Sequence, residues 1–174
     1  MTTPQENMDL FVGLSALLTG IDKTKLSPPL DPNNIKQVFY DYANAQDSAA
    51  LAQLLGIYAS CLAQPGITDA MVAKAVFEDS GDTMCYLARA IMLAWYLGSW
   101  YAPGDLQAYH ANYAAQPPLQ ALPPLSGPVI AAAAYTQGWA WNIAQAHPMG
   151  YSTFTFGYWG KQPPALSAFT GARQ

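Results

Sequence analysis

The sequence predicts a mostly α fold: a single-domain helical bundle of about six helices over residues 1–174, with an extended aromatic C-terminal tail. Three observations carry this prediction. Apolar residues recur at i, i+3 and i+4 in segment after segment of the first half. Those segments are bounded by residues that start and stop helices. One later segment, 83–101, is apolar on nearly every side, as the buried central helix of a bundle is.

In chain order, residues 1–8 are expected to be a flexible lead-in. A stripe over 5–19 follows, with Leu10, Phe11, Leu14, Leu17 and Leu18 on one face and Gly20 as the stop. KLSPPLDP (25–32) is a rigid proline connector. Asp31 as N-cap and Pro32 at the first helical position predict a helix over 32–44, with Ile35, Val38, Phe39 and Tyr42 on one face. A third helix starts near Asp47 or Ser48 and runs to about Ala63, where QPG (64–66) ends it. Its stripe is Leu51, Leu54, Leu55, Tyr58 and Leu62. Thr68 caps a fourth through Phe77, carrying Met71, Val72, Ala75 and Val76, and Ser80-Gly81-Asp82 breaks it.

The apolar segment TMCYLARAIMLAWYLGSWY (83–101) would span about 28 Å as a helix. A membrane span is the rival reading. Against it, Arg89 sits near the centre, where it would cost about 2.5–3.5 kcal/mol. In addition, Trp95, Tyr96, Trp100 and Tyr101 crowd one end instead of flanking both. A core helix is therefore expected, with Arg89 buried and held by a carboxylate or by helix-end carbonyls.

Beyond it, 106–115 is expected to be a short helix and 117–128 a proline-rich connector. Ser126 and Pro128 then start a sixth helix over 128–146, rich in Ala, weakened by Gly138 and closed by His147-Pro148. Residues 148–174 form a non-helical tail. Its aromatics, Tyr151, Phe154, Phe156, Tyr158 and Trp159, alternate with small polar residues and suit an extended strand better than a helix.

The distribution of charge narrows the function. Charged residues make up only 10% of the chain, against about 25% in typical domains. Residues 1–82 hold ten acids and four lysines, whereas 106–160 hold no charged residue at all. No basic cluster offers a footprint for nucleic acid or anionic lipid. A long uncharged stretch rich in Tyr and Trp is instead the composition of a permanent protein interface. The tail aromatics Tyr151, Phe154, Phe156, Tyr158 and Trp159 are its expected centre, and the isolated chain is expected to self-associate through it.

Catalytic groups are sparse. No nucleophile elbow, dinucleotide fingerprint, phosphate loop or zinc-helix motif occurs. His110 has no His, Cys, Asp or Glu at i±3 or i±4, and His147 reads as a helix C-terminal cap. Glu78, Asp79 and Asp82 read as a solvated turn. Cys61 and Cys85 follow no metal or redox spacing and read as buried hydrophobes, with a disulfide between neighbouring helices as the alternative in an oxidising compartment. No catalytic, cofactor-binding or metal residue is assigned. The N-terminal stretch lacks the basic and apolar regions of a signal peptide.

Three segments in order carry a resemblance. LFVGLSALLTG (10–20) followed by LDP (30–32) is the first. ARAIMLAWYLGSW (88–100), centred on Ala94-Trp95-Tyr96-Leu97-Gly98, is the second. AYTQGWAW (134–141) followed by GYWGKQPP (157–164) is the third. Together they resemble the small subunits of the membrane-bound, FAD-dependent sorbitol, fructose, gluconate and glucose dehydrogenases of bacteria. The chain departs from that family in lacking a twin-arginine export signal, and in reading YSTFTF where many members place a tail cysteine.

The resemblance implies a non-catalytic accessory subunit that supports assembly, maturation or export of a large subunit. FAD and the active site belong to that large partner, and a cytochrome subunit passes electrons on. It also implies a periplasmic location, at the inner membrane through the complex; a cytoplasmic location is the alternative. Trp95, Tyr96 and Gly98 are the family-motif residues, and in so apolar a helix they are expected to be core. Two other readings stay open. One is a small ligand-binding protein or enzyme whose Trp139, Trp141, Tyr151 and Trp159 stack on a carbohydrate ring. The other is a stand-alone cytoplasmic helical interaction protein.

Overall fold

Caps written into the sequence set most helix ends in the first half. The computed structural model describes residues 3–115, 125–144, 146 and 170–171. Helix α1 (Pro4–Thr19) opens on a reciprocal cap: the Thr3 hydroxyl accepts from the Glu6 N–H at 3.2 Å, and the Glu6 carboxylate accepts from the Thr3 N–H at 2.6 Å. Residues 3–8 are therefore tied into the helix, against the expected flexible lead-in. Gly20, at φ 68°, closes it in the left-handed conformation. A single turn, α2 (Lys23–Leu26), follows under an Asp22 cap.

Helix α3 (Ile35–Gln46) starts three residues later than the Asp31-Pro32 signal predicts. The Asp31 carboxylate does cap, but it caps a turn: it accepts from the N–H groups of Asn33 (3.2 Å) and Ile35 (2.7 Å). Asn34 then takes φ 46°, a left-handed value that Asn tolerates better than most residues. Helix α4 (Ser48–Leu62) begins under the Asp47 carboxylate, which accepts from the Ala50 N–H at 2.9 Å. Helix α5 (Asp69–Lys74), capped by Thr68, continues as a wider π turn over Ala75–Asp79.

The central helix, α6 (Asp82–Leu97), ends four residues before the predicted limit. Gly98 caps it at φ 65°, and Trp100 and Tyr101 lie beyond it in extended chain. Helix α7 (Pro103–Ala115) starts earlier than expected, with Pro103 in its first turn.

The predicted helix over 128–146 does not form. The chain instead makes two short helices, α8 (Ala132–Thr136) and α9 (Trp139–Ile143), separated at Gly138. Ahead of them Val129 pairs with Ser99 in an isolated antiparallel bridge. Trp100 N–H donates to Pro128 O at 2.9 Å and Ile130 N–H to Gly98 O at 3.0 Å. The backbone that a helix starting at Pro128 would use is thus committed to the chain leaving α6. Of the proline-rich connector, 125–128 is irregular chain.

These helices form one all-α bundle around α6, which touches α1, α3, α4, α7, α8 and α9. Trp95 is 1% exposed, with ring centroids of Phe39 and Phe11 at 4.5 and 6.5 Å. Alanines 88, 90 and 94, all buried, let the neighbouring helices approach. Cys61 and Cys85 are buried, as expected, and both are free thiols. From the end of the chain, Thr170 is helical and buried, and its carbonyl accepts from the Asp22 N–H. Among the described residues, no helix is long and apolar enough to cross a membrane.

Candidate functional site

Two surfaces gather aromatic and polar side chains, and both start from α6. The first is the end of that helix. Gly98 is needed there twice over. Its φ is left-handed, and a Cβ on it would lie 2.4 Å from Ala134 O and 2.5 Å from the Tyr135 Cα. The close approach seats α8 directly on the end of α6. Tyr96, next to it, donates its hydroxyl to Thr19 O at 2.7 Å, satisfying a carbonyl at the C-terminus of α1. Burial pushes the Tyr96 phenol above its usual value of 10.0. Trp95, Tyr96 and Gly98 therefore act as a joint: Trp95 fills the core, Tyr96 ties α6 to α1, and Gly98 admits α8.

Around this joint lies a cleft of about 340 Å³ whose walls include Tyr96, Leu97, Tyr101, Tyr135 and Trp141. Trp141 donates its indole N–H to Tyr135 O at 2.9 Å and meets the Tyr135 ring edge-on at 5.5 Å. The indole is thus held in place, and among the described residues no Asp, Glu, Lys, Arg or His lines the cleft. Trp139 lies elsewhere, in a separate hollow with Lys25 and Thr136. Trp139 and Trp141 consequently do not build one stacking platform for a sugar ring. The other two members of that platform, Tyr151 and Trp159, lie outside the described residues. So do Phe154, Phe156, Tyr158 and His147.

The second surface is a groove between α6 and α7, with a volume of about 640 Å³. Helix α6 supplies Tyr86, Arg89, Met92 and Leu93; α7 supplies Leu106, Tyr109, His110 and Tyr113 at i, i+3, i+4 and i+7; Phe77 of the π turn also lines it. The chain's periodicity contained this signal: both helices present the groove residues on one stripe. Two polar contacts organise it. Tyr86 Oη and His110 Nδ1 are 2.9 Å apart, the Tyr–His bridge that ties α7 to α6. Gln107 Nε2 reinforces the same junction by donating to the Asp82 carboxylate at 2.8 Å.

Arg89 departs from expectation. It is half-buried, and its guanidinium carbon stands 5.1 Å from the centre of the Tyr86 ring. The ion pair found among the described residues is Lys74 with Asp79 at 2.7 Å, on the exposed π turn, and no carboxylate pairs with Arg89. His110 likewise gains a tyrosine partner from a different helix, which sequence spacing along α7 alone does not reveal. Among the described residues, no three His, Cys, Asp or Glu side chains converge as a metal site.

Tyr58 is a second phenol whose titration is shifted. Its phenol is raised by burial and by the negative charge of Asp69, and its ring lies against Gly13, where a Cβ would come within 2.9 Å of the hydroxyl. This contact sets the spacing of α1 and α4 rather than a reactive centre.

Neither protein-family models, nor curated proteins, nor solved structures give a match to this chain.

Proposed function

We propose that this chain is the non-catalytic small subunit of a bacterial FAD-dependent sugar or polyol dehydrogenase complex, supporting assembly, maturation or export of the flavin-bearing large subunit. In this reading it works in the periplasm, held at the inner membrane by its partners, with electrons leaving through a cytochrome subunit. The observation that carries the reading is the joint at the end of α6. The residues on which the resemblance rests, Trp95, Tyr96 and Gly98, all have structural tasks there, and the joint opens into an uncharged aromatic cleft around Leu97, Tyr101 and Trp141. Aromatic walls without charge suit a permanent contact, because covering them strips no ion of water.

The test is capture of the partner. A tagged chain expressed in its own cells is expected to copurify with a flavoprotein that oxidises a sugar or polyol with an artificial acceptor, while the isolated chain has no such activity. Truncation after Pro148, which removes Tyr151, Phe154, Phe156, Tyr158 and Trp159, is expected to abolish copurification while leaving the helical circular dichroism signal of the bundle largely intact. Recovery of the chain free of any flavoprotein overturns the reading. Capture at full yield by the truncated chain moves the contact away from the tail.

A further inference from the structure

We propose that the groove between α6 and α7 is a binding site for an amphipathic monocarboxylate, an apolar chain bearing one carboxylate, with Arg89 as the anion-binding residue. The site is separate from the joint at the end of α6 and does not depend on the partner proposed above. Its volume of about 640 Å³ falls within the roughly 300–1,000 Å³ typical of small-ligand sites. Phe77, Met92, Leu93 and Leu106 give it apolar walls suited to an aliphatic or aromatic chain.

Charge complementarity names the head group. Among the described residues that line the groove, Arg89 is the one Lys or Arg, and it stands half-buried against the Tyr86 ring with no carboxylate of a described residue paired to it. The acids on the elements around the groove have other partners where the structure shows one: Asp82 accepts from Gln107, and Asp79 pairs with Lys74. A cation set into an apolar wall gains most from a partner that brings its own negative charge. The guanidinium fork fits a planar carboxylate with two parallel hydrogen bonds. A single fixed cation also matches a monoanion. A phosphate dianion would leave a second charge uncompensated against apolar walls. The Tyr86–His110 bridge holds the two helices at the spacing the chain would occupy.

The experiment is calorimetric titration of the full chain with decanoate, and with decyltrimethylammonium as a probe of the same tail and opposite charge. Decanoate is expected to bind saturably at one per chain, and the cationic probe about tenfold more weakly or less. Arg89→Gln should weaken decanoate by about tenfold to a hundredfold, and Leu106→Trp, which fills the groove, should remove binding. If thermal melts show Arg89→Gln to be unfolded, Tyr113→Asp takes its place. Tyr113 is 60% exposed at the groove edge, and a carboxylate there should repel decanoate and spare the cationic probe. Equal affinity for the two probes overturns the proposal. So do no detectable binding, affinity unchanged in the folded variants, and unsaturable uptake. Sedimentation with phosphatidylglycerol vesicles without one-to-one decanoate binding overturns it in favour of a membrane surface.

Discussion

Along α6, Ala88, Ala90, Ile91, Ala94 and Trp95 are each no more than 2% exposed, whereas Arg89, Met92 and Leu93 of the same helix stay half-buried beside the groove to α7. The two regions use the same backbone and nearly the same composition. They differ in what meets them. In the core, alanines admit neighbouring helices closely and one indole fills the remaining space, so the packing approaches that of a crystal. Towards α7, long side chains meet long side chains, and the helices are pinned at the Tyr86–His110 and Gln107–Asp82 contacts while space remains between them. Burial on the first side contributes to stability; incomplete burial on the second leaves room for a ligand.

Substitutions should separate the two sides by the size of their effect. Trp95→Ala removes the side chain that touches both Phe11 and Phe39, and should destabilise the chain by about 3–5 kcal/mol in urea unfolding. A loss below about 1 kcal/mol would mean that the core around α6 collapses to fill the gap. Gly98→Ala comes next. It combines a left-handed residue, about 1–2 kcal/mol, with an overlap against Ala134 that something must relieve, about 1–3 kcal/mol more. Its thermal melt should fall well below that of Gly56→Ala, a helical position where an added Cβ meets nothing within 4 Å.

Tyr96→Phe should cost about 1 kcal/mol by removing the hydrogen bond to Thr19 O. Its pH dependence sharpens the assignment. The folded chain holds the Tyr96 proton more tightly than the unfolded chain, because burial raises the phenol above 10.0. That stabilisation is fully present below pH 10.0 and is lost as the pH rises through the higher folded value. The stability gap between wild type and Tyr96→Phe should therefore narrow in alkaline solution, measured by urea unfolding at a series of pH values. Tyr113→Ser, at the open edge of the groove, should change stability by no more than about 0.5 kcal/mol. A larger loss would place α7 within the core rather than at its edge.

Local signals were legible where they acted alone. Asp47 and Thr68 cap the helices that follow them, and Gly20 ends α1, because a cap needs only a side chain and the next few amides; Thr3 and Gly98 act in the same way, against the expected flexible start and the expected helix limit at 101. The same rule misplaced the start of α3. Asp31 satisfied its amides in a turn before the helix, a choice that the residue type leaves open. The candidate groove was half legible: its residues lie on two stripes, but periodicity does not state which stripe a neighbour covers. Arg89 illustrates this. Its place near the middle of an apolar helix suggested a buried cation held by a carboxylate or by helix-end carbonyls, and the structure sets it over Tyr86 at the edge of a cavity.

What the sequence by itself determined, then, is the helical class, the central apolar helix and most caps of the first half. Each follows from interactions within one or two turns of chain. The tertiary structure alone decided the fate of 128–146. An alanine-rich run with a proline start has a good local claim to be one helix. Yet Pro128 and Ile130 are held by backbone hydrogen bonds to Trp100 and Gly98, and α8 sits against Gly98 at a distance that no side chain permits. Helix propensity differs by less than about 1 kcal/mol per ordinary residue, so contacts with a segment thirty residues away in sequence can outweigh it. The tertiary structure likewise decided which face of α6 was closed by packing and which was left open beside α7.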